Sequence, residues 1–502
     1  MEKRLVLAIT LSLLVLLTWS LLVPKPQPIE NKEVATQNLP SVRENPEQTP
    51  LLNIEQESKP SSLFKYEQDK LEITFIESLA AIKEIKFKAH QDYRFPLKYG
   101  FLLADNSASF KKESSSPESI TFVQSDQNKK IKKEFLFSNS GYSIWLEIEY
   151  QNLSNLTQKV NLPLILGVLD FSPRNTQARY QDVTLATKDK ILHLNARRSL
   201  GFPEVKFLSL RDRYFCAIVG PSSENFRCFI NKVDPQTAEI GFSSPENVLA
   251  PGERIKQKFH IYLGPQDLRL ISSIKSDWSA VVNYGTFDFI AQIILQLLEF
   301  LHRLVHNWGG AIVILSILVY LLLYPLTLKQ MRSMKEMQAL QPHIEELRKL
   351  YKDNPQRMNK ETMELYRQHK VNPLGGCLPL ILQMPIFIAL WQALQRSVVL
   401  KGASFLWIKD LSEPDRLFTL TGAFPIKEIN ILPIFTAVLM LLQQKISTVP
   451  TSGSSAEQQK LMAIMMPIIF GLAFYNMPSG WVLYFLVYSL LALGNQLKIS
   501  KT

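Results

Sequence analysis

The chain is poor in reactive side chains. Three cysteines and seven histidines in 502 residues exclude a disulfide-dense scaffold and leave few ligands for a structural metal. No CxxC pair, P-loop, dinucleotide fingerprint or nucleophile motif occurs, so nothing points to an enzyme. His302 and His306 stand four apart, a spacing that suits a metal on a helix, but no acidic ligand or H-E-x-x-H pattern accompanies them. They read as polar residues of an interfacial helix. Cys216 and Cys228 fall on two candidate strands joined by GPSSEN, and either bridge in an oxidising compartment or remain two core thiols. Cys377 lies in or beside an apolar run and is given no chemistry.

What the chain has instead is apolar length. Nearly uninterrupted apolar runs occupy 5–23, 311–328, 378–391, 431–442, 461–475 and 481–493. A membrane span needs ~20 mostly apolar residues, and shorter runs suffice where one face is polar. Six spans are therefore expected. The first run follows MEKR, exceeds a signal-peptide core and has no A-x-A site after it, so it reads as an uncleaved anchor. The expected organisation is an anchor over 1–23, a flexible linker over 24–60, a β-sandwich domain over 61–275 and an interfacial amphipathic helix over 286–308. There follow a second span (309–327), a helical hairpin (328–373), a third span (374–397), a loop (398–429) and a fourth span (430–446). A loop (447–459), spans at 460–476 and 479–497, and a short tail (498–502) complete it.

The β assignment rests on period-two alternation in YSIWLEIEY (142–150), RYFCAIVG (213–220) and KFHIYLG (258–264), the pattern of antiparallel strands with one wet face. Orientation follows from charge. The segment 328–373 carries ten Lys and Arg residues and the segment 398–428 four, so the hairpin belongs on the cytoplasmic side and the β domain outside. The net charge of +11 then reflects topology and anionic lipid, with no direct nucleic-acid role.

Three further patterns bear on function. In the segment around 287–309, Phe287, Ile290, Ile293, Ile294, Leu297, Leu298, Leu301 and Leu304 recur at helical spacing, fitting a helix in the membrane interface or one docked on the β domain. In the hairpin, which turns at Asn354–Pro355, Met331, Met334, Met337, Met358 and Met363 form an edge. That edge either contacts varied apolar clients or fills the seam between the two arms. Within the spans, Ser316, Tyr320 and Tyr324 share one helix face. Gln383, Gln444, Tyr484 and Tyr488 interrupt the other runs, as do Gln392, Gln395 and Gln443. Polar groups at that depth face a bundle interior or a wet cavity; they make either helix-to-helix hydrogen bonds or a slot shared by several helices.

The strings YPLTLKQMRSMKEMQALQP (324–342), KVNPLGGCLPLILQMPIFIALW (370–391) and MPSGWVLYF (477–485) closely resemble the YidC branch of the YidC/Oxa/Alb membrane insertases. YLGPQD (262–267) and NYGTFDFIAQ (283–292) resemble that branch's junction between periplasmic domain and interfacial helix. The resemblance implies a polytopic α-helical membrane protein with a five-helix insertase core and a periplasmic all-β supersandwich. It implies a multi-pass protein of the bacterial inner membrane that needs no cofactor or metal. Its partners would be nascent membrane proteins, the Sec translocon and membrane lipids, with ribosome contact limited by the short tail. Gln383 matches the family's groove glutamine, and Tyr324–Pro325 match the end of the first groove helix. Where the family usually has an arginine four residues before Y-P-L-T, this chain has Tyr320. The competing class is a polytopic solute or lipid transporter, which inverted repeats or a mid-membrane acid pair would favour; neither is present in the sequence.

Overall fold

The computed structural model describes residues 62–501 except 105–108, 139–140, 174, 176–177, 195, 197, 353, 370, 372–377, 420–427 and 448–453. The expected anchor (1–23), linker (24–60) and Cys377 lie outside the described residues, as does the side chain of Met334. The chain divides into two compact units, with the boundary after Val282.

The first unit is β-rich, and all its described strand pairs are antiparallel. A nine-stranded sheet runs, in spatial order, Ile191–Leu194, Asp182–Thr187, Val205–Arg211, Phe215–Pro221, Arg254–Pro265, Ser143–Asn152, Lys129–Phe137, Ser119–Ser125 and Lys111–Ser115. Alternation fixes its inner face: Leu146, Ile148 and Tyr150 are buried while Trp145 is exposed. A four-stranded sheet (Leu63–Glu67 to Tyr93–Gly100) packs on it through Phe75 against Phe122 and Phe135. A five-stranded sheet built around Arg227–Lys232, Thr237–Ser243 and Leu164–Asp170 packs on it through Phe242 against Phe259. Beyond Pro265 comes α1 (Leu268–Ile274), capped by Asp267 Oδ1, which accepts from the backbone N–H groups of Arg269 and Leu270. The unit continues past 275 to a 3-10 turn that buries Trp278.

Cys216 and Cys228 are both buried free thiols. Their strands belong to different sheets, and burial pushes both thiols well above the usual range. Of the two alternatives open in the sequence, the core-thiol one is what the fold contains.

Period-two alternation also carries Lys133 to the inner face, where it is fully buried. Its Nζ donates to the Ala80 carbonyl at 2.5 Å and to the Phe101 carbonyl. Burial pulls its pKa down to about 7. The folded value lies below the unfolded one, so the unfolded chain binds more protons between about pH 7 and 10.5. Stability of the β unit should therefore rise as pH goes from 7 to 9, before alkaline effects on tyrosine begin. Urea unfolding at the two pH values checks this, and Lys133→Met should flatten that slope. A slope unchanged by Lys133→Met would show that other groups set it.

The second unit is helical: α2 (Asp288–Val305), α3 (Trp308–Ala339), α4 (Gln341–Leu350), α5 (Pro355–Gln368), α6 (Leu378–Arg396), α7 (Ile431–Ser447), α8 (Ser454–Phe474) and α9 (Ser479–Lys501). Among the described residues two segments are long and apolar enough to span a membrane, Trp308–Met337 and Ser479–Lys498. Ile431–Ile446 and Ile464–Phe474 are apolar but shorter. Six spans were expected, and this count is not reached by length and composition. α7 has 17 residues, and the first turns of α8 are polar.

Where the hairpin was expected, the chain forms α4 and α5 on either side of residues 351–354. The hairpin's first arm continues α3 without a break to Ala339 and then bends at Leu340. The later turn is as expected, with Asn354 Oδ1 accepting from the Arg357 N–H to cap α5. The single apolar stripe expected on α2 resolves into two faces. Ala291, Ile294, Leu295, Leu298 and Leu301 join the core formed with α3 and α6, while Phe289, Ile293, Phe300 and Leu304 are exposed. His302 stacks on Trp308 at 3.8 Å, and among the described residues no group suited to a metal occurs.

The loop between α6 and α7 ties several helix ends together. Asp415 Oδ2 accepts from the Ile431 and Leu432 N–H groups at the start of α7, and Asn430 Nδ2 donates to the Tyr475 carbonyl just after α8. The Ser479 and Gly480 N–H groups at the start of α9 donate to the Glu413 and Leu411 carbonyls. Phe405 lies against Gly309 at the start of α3, where any side chain in place of the glycine hydrogen would overlap the ring.

Candidate functional site

The spacing i, i+4, i+8 places Ser316, Tyr320 and Tyr324 on one face of α3, and that face meets α9. The Tyr320 ring lies 5.4 Å from Tyr488 in an edge-on arrangement and 6.0 Å from Tyr324. Tyr488 in turn donates its hydroxyl to Gln383 Oε1 on α6 at 3.1 Å, and its ring is 6.2 Å from Tyr484. Three helices thus contribute to one polar seam inside an otherwise apolar bundle. Gln443 on α7 adds a fourth by donating to the Ser489 carbonyl at 2.7 Å; Gln444, one residue on, is half-buried.

Burial is graded along the seam. Ser316 is fully buried and donates back to the Ile312 carbonyl of its own helix, so its hydroxyl is already occupied. Tyr484 is fully buried too, and Tyr320 is 5% exposed. Tyr324, Thr327, Gln383, Tyr488 and Asn495 are all half-exposed. The seam is shut around Ser316, Tyr320 and Tyr484 and opens toward the basic end of α3. The hydroxyls of Tyr320 and Tyr484 are both shielded from solvent; that of Tyr320 has Asn495 beside it, and that of Tyr484 accepts or donates no hydrogen bond among the described side chains. Such a group in an apolar bundle carries unspent hydrogen-bonding capacity.

Sequence reasoning missed two members. Thr327 donates to the Leu323 carbonyl, helping the turn that Pro325 disrupts, and it stands next to Tyr488. Asn495 donates to Met331 Sδ at 3.6 Å and lies beside Tyr320. The signal for Asn495 was its seven-residue spacing from Tyr488, which keeps it on the same helix face. Four of the five methionines of the expected edge have described side chains. Met331 turns to α9, Met337 and Met358 are half-buried, and Met363 is 58% exposed. No acidic or basic side chain is among the seam residues named here, so its polarity comes from neutral hydroxyls and amides.

Residues 300–502 match the family model described as 60Kd inner membrane protein, and residues 101–297 match the YidC periplasmic domain. A membrane protein insertase YidC from Syntrophus aciditrophicus is 35% identical over 411 residues, covering 80% of this chain and 72% of that relative. The protein of the same name from Syntrophobacter fumaroxidans is 31% identical over 427 residues, covering 82% and 76%. That of Geobacter metallireducens is 29% identical over 505 residues, covering 96% and 89%. A crystal structure of an active YidC insertase aligns over 87% of this chain and 94% of its own, at 20% identity and a TM-score of 0.39, a likeness too loose to build on.

Proposed function

This chain belongs to the YidC family of membrane protein insertases, and we propose that it moves client segments from the cytoplasm into the inner membrane along the seam of α3, α6 and α9. The clients are nascent membrane proteins, taken alone or beside the Sec translocon. The protein is multi-pass, with α3, α6, α7, α8 and α9 as five spans and the β unit in the periplasm. What supports the route is the gradation of burial from Ser316 and Tyr320 to Tyr324, Gln383 and Asn495. A passage open at one end and shut at the other suits a client that enters, stops and leaves sideways into lipid. A solute path would have to continue past Tyr484 and Ser316, both fully buried.

The physical problem is a polar tail facing ~30 Å of hydrocarbon. A charged residue at mid-bilayer costs roughly 2.5–3.5 kcal/mol on insertion scales. Tyr320 lies twelve positions after Trp308, about 18 Å along the helix axis at ~1.5 Å per residue. A polar passage reaching Tyr320 therefore removes close to half of the dry path. The client's apolar span then partitions into lipid, and its own burial supplies the free energy.

The seam does this without a fixed positive charge. An ordinary phenol is neutral near pH 7, so Tyr320 offers a hydrogen bond where the family resemblance leads one to expect Coulombic attraction. Tyr320→Phe removes a hydroxyl that has only Asn495 beside it, so folding should be little affected. Insertion of clients with polar tails into liposomes containing only this protein should fall about 2- to 10-fold, one hydrogen bond of roughly 0.5–1.5 kcal/mol. Insertion of wholly apolar clients should hold. Equal insertion of both classes by the variant would remove Tyr320 from the route, and no gain over empty liposomes for the parent chain would overturn the function itself.

A further inference from the structure

The loop between α6 and α7 carries a small turn with an unusual composition. Phe405 and Ile408 exchange both backbone hydrogen bonds, N–H to carbonyl at 2.9 Å each way, which makes Leu406 and Trp407 the two central residues of a tight hairpin turn. Such positions favour Gly, Asn or Asp because the backbone must enter the left-handed region. Leu406 does so, with φ of 52°, although leucine gains nothing from that conformation. The strained backbone turns both side chains outward: Leu406 is 75% exposed and Trp407 37%.

The turn is also held rigidly in place. Phe405 packs on Gly309, Asn307 Nδ2 donates to the Ser404 carbonyl at 3.4 Å, the Leu411 N–H donates to the Ala403 carbonyl at 2.9 Å, and Ile408 is buried. The anchoring points Asn307 and Gly309 flank Trp308, the first residue of a helix long and apolar enough to span a membrane. The tip is therefore fixed at the level where the hydrocarbon ends and the headgroups begin. Exposed Leu304 and Val305 at the end of α2 continue the apolar surface in the chain just before Asn307. Lys409, exposed directly after the turn, supplies positive charge at the height of lipid phosphates.

From this placement we infer that the Leu406–Trp407 turn is a lipid-surface anchor, inserting both side chains at the headgroup–acyl boundary while Lys409 meets phosphate. Tryptophan at that boundary keeps its ring in the acyl region and its N–H in the wet layer. A leucine with no protein cover loses its water contact there. The anchor holds the α6–α7 loop against the bilayer, and through Phe405 and Gly309 it sets the depth of α3. It goes beyond the insertase function and depends only on α3 spanning the membrane.

The test uses the full chain with Cys377→Ser and Leu406→Cys, labelled with an environment-sensitive fluorophore and reconstituted into phosphatidylethanolamine–phosphatidylglycerol vesicles. Cys216 and Cys228 are buried and stay unlabelled. The expected result is blue-shifted emission, quenched by lipid bearing a nitroxide near the headgroup more than by lipid bearing it at the chain end, and insensitive to aqueous iodide. Client insertion is measured in the same vesicles. Water-like emission with strong iodide quenching, in a preparation that still inserts clients, overturns the anchor and leaves the insertase function standing. Quenching strongest at the chain end overturns it also, because it places the tip in the bilayer centre.

Discussion

Exchanging Gln383 for Leu and Tyr488 for Phe together should leave the helical unit folded and as stable as before, yet cut insertion of clients with polar tails about 10- to 100-fold. The two residues share one hydrogen bond across α6 and α9 at 3.1 Å. Removing both partners and keeping their shape leaves no orphaned group, the case in which loss of a buried hydrogen bond is nearly neutral for stability. For a client the change is different. The half-exposed stretch of the seam loses an amide and a hydroxyl, two hydrogen-bonding sites of about 1 kcal/mol or more each, and each 1.4 kcal/mol is roughly tenfold in rate. Insertion into liposomes against thermal unfolding in detergent separates the two effects. A double variant that inserts polar-tailed clients at the parent rate would place the route elsewhere. A variant that loses stability in step with insertion would make the pair a structural tie.

The second large effect falls in the β unit. Arg211 is 4% exposed, pairs through Nε with Asp182 and donates from Nη1 to the Val281 carbonyl at 2.9 Å. The guanidinium joins the strand Val205–Arg211 to the turn that ends the unit. Arg211→Met strips the cation and leaves a carboxylate and a carbonyl facing an apolar side chain. Breaking a buried pair this way costs about 3–5 kcal/mol; Asp182 keeps partial access to water, which favours the lower end. Against a typical stability of ~5–15 kcal/mol for a domain, that is a large share. The urea midpoint of the β unit in the full chain should drop markedly. Arg254→Met, which removes a surface pair with Glu149 at 3.2 Å, should move the midpoint little. Equal shifts would mean that the buried pair contributes no more than the exposed one.

Much of this fold is legible in the residues because each layer has its own period. Strand Ser143–Asn152 shows its alternation in the letters and in its burial, and the face of Ser316, Tyr320 and Tyr324 follows from helical spacing alone. What stayed hidden depends on partners distant in sequence. Lys133 alternates inward like its neighbours Ile131 and Phe135, but charge argues for the surface until Ala80 and Phe101 are seen to supply carbonyls. The apolar arc of α2 is wide, so periodicity cannot tell which part of it meets protein. Asn495 lies just beyond the apolar run of α9, and its partner Met331 is distant in sequence. Cys216 and Cys228 lie twelve positions apart, yet sheet order separates them.

The loop that gathers the starts of α3, α7 and α9 with the end of α8 makes one end of the bundle a pivot. Rods pinned at one end and merely packed at the other separate as a fan, and displacement grows with distance from the pin. Over the 23 residues of α9, about 35 Å at ~1.5 Å per residue, a tilt of roughly 10° moves the far end by about 6 Å, more than half of a helix diameter of ~10 Å. Under the same tilt a point about 18 Å from the pin, the height of Tyr320, moves about 3 Å, half as far as the far end of α9.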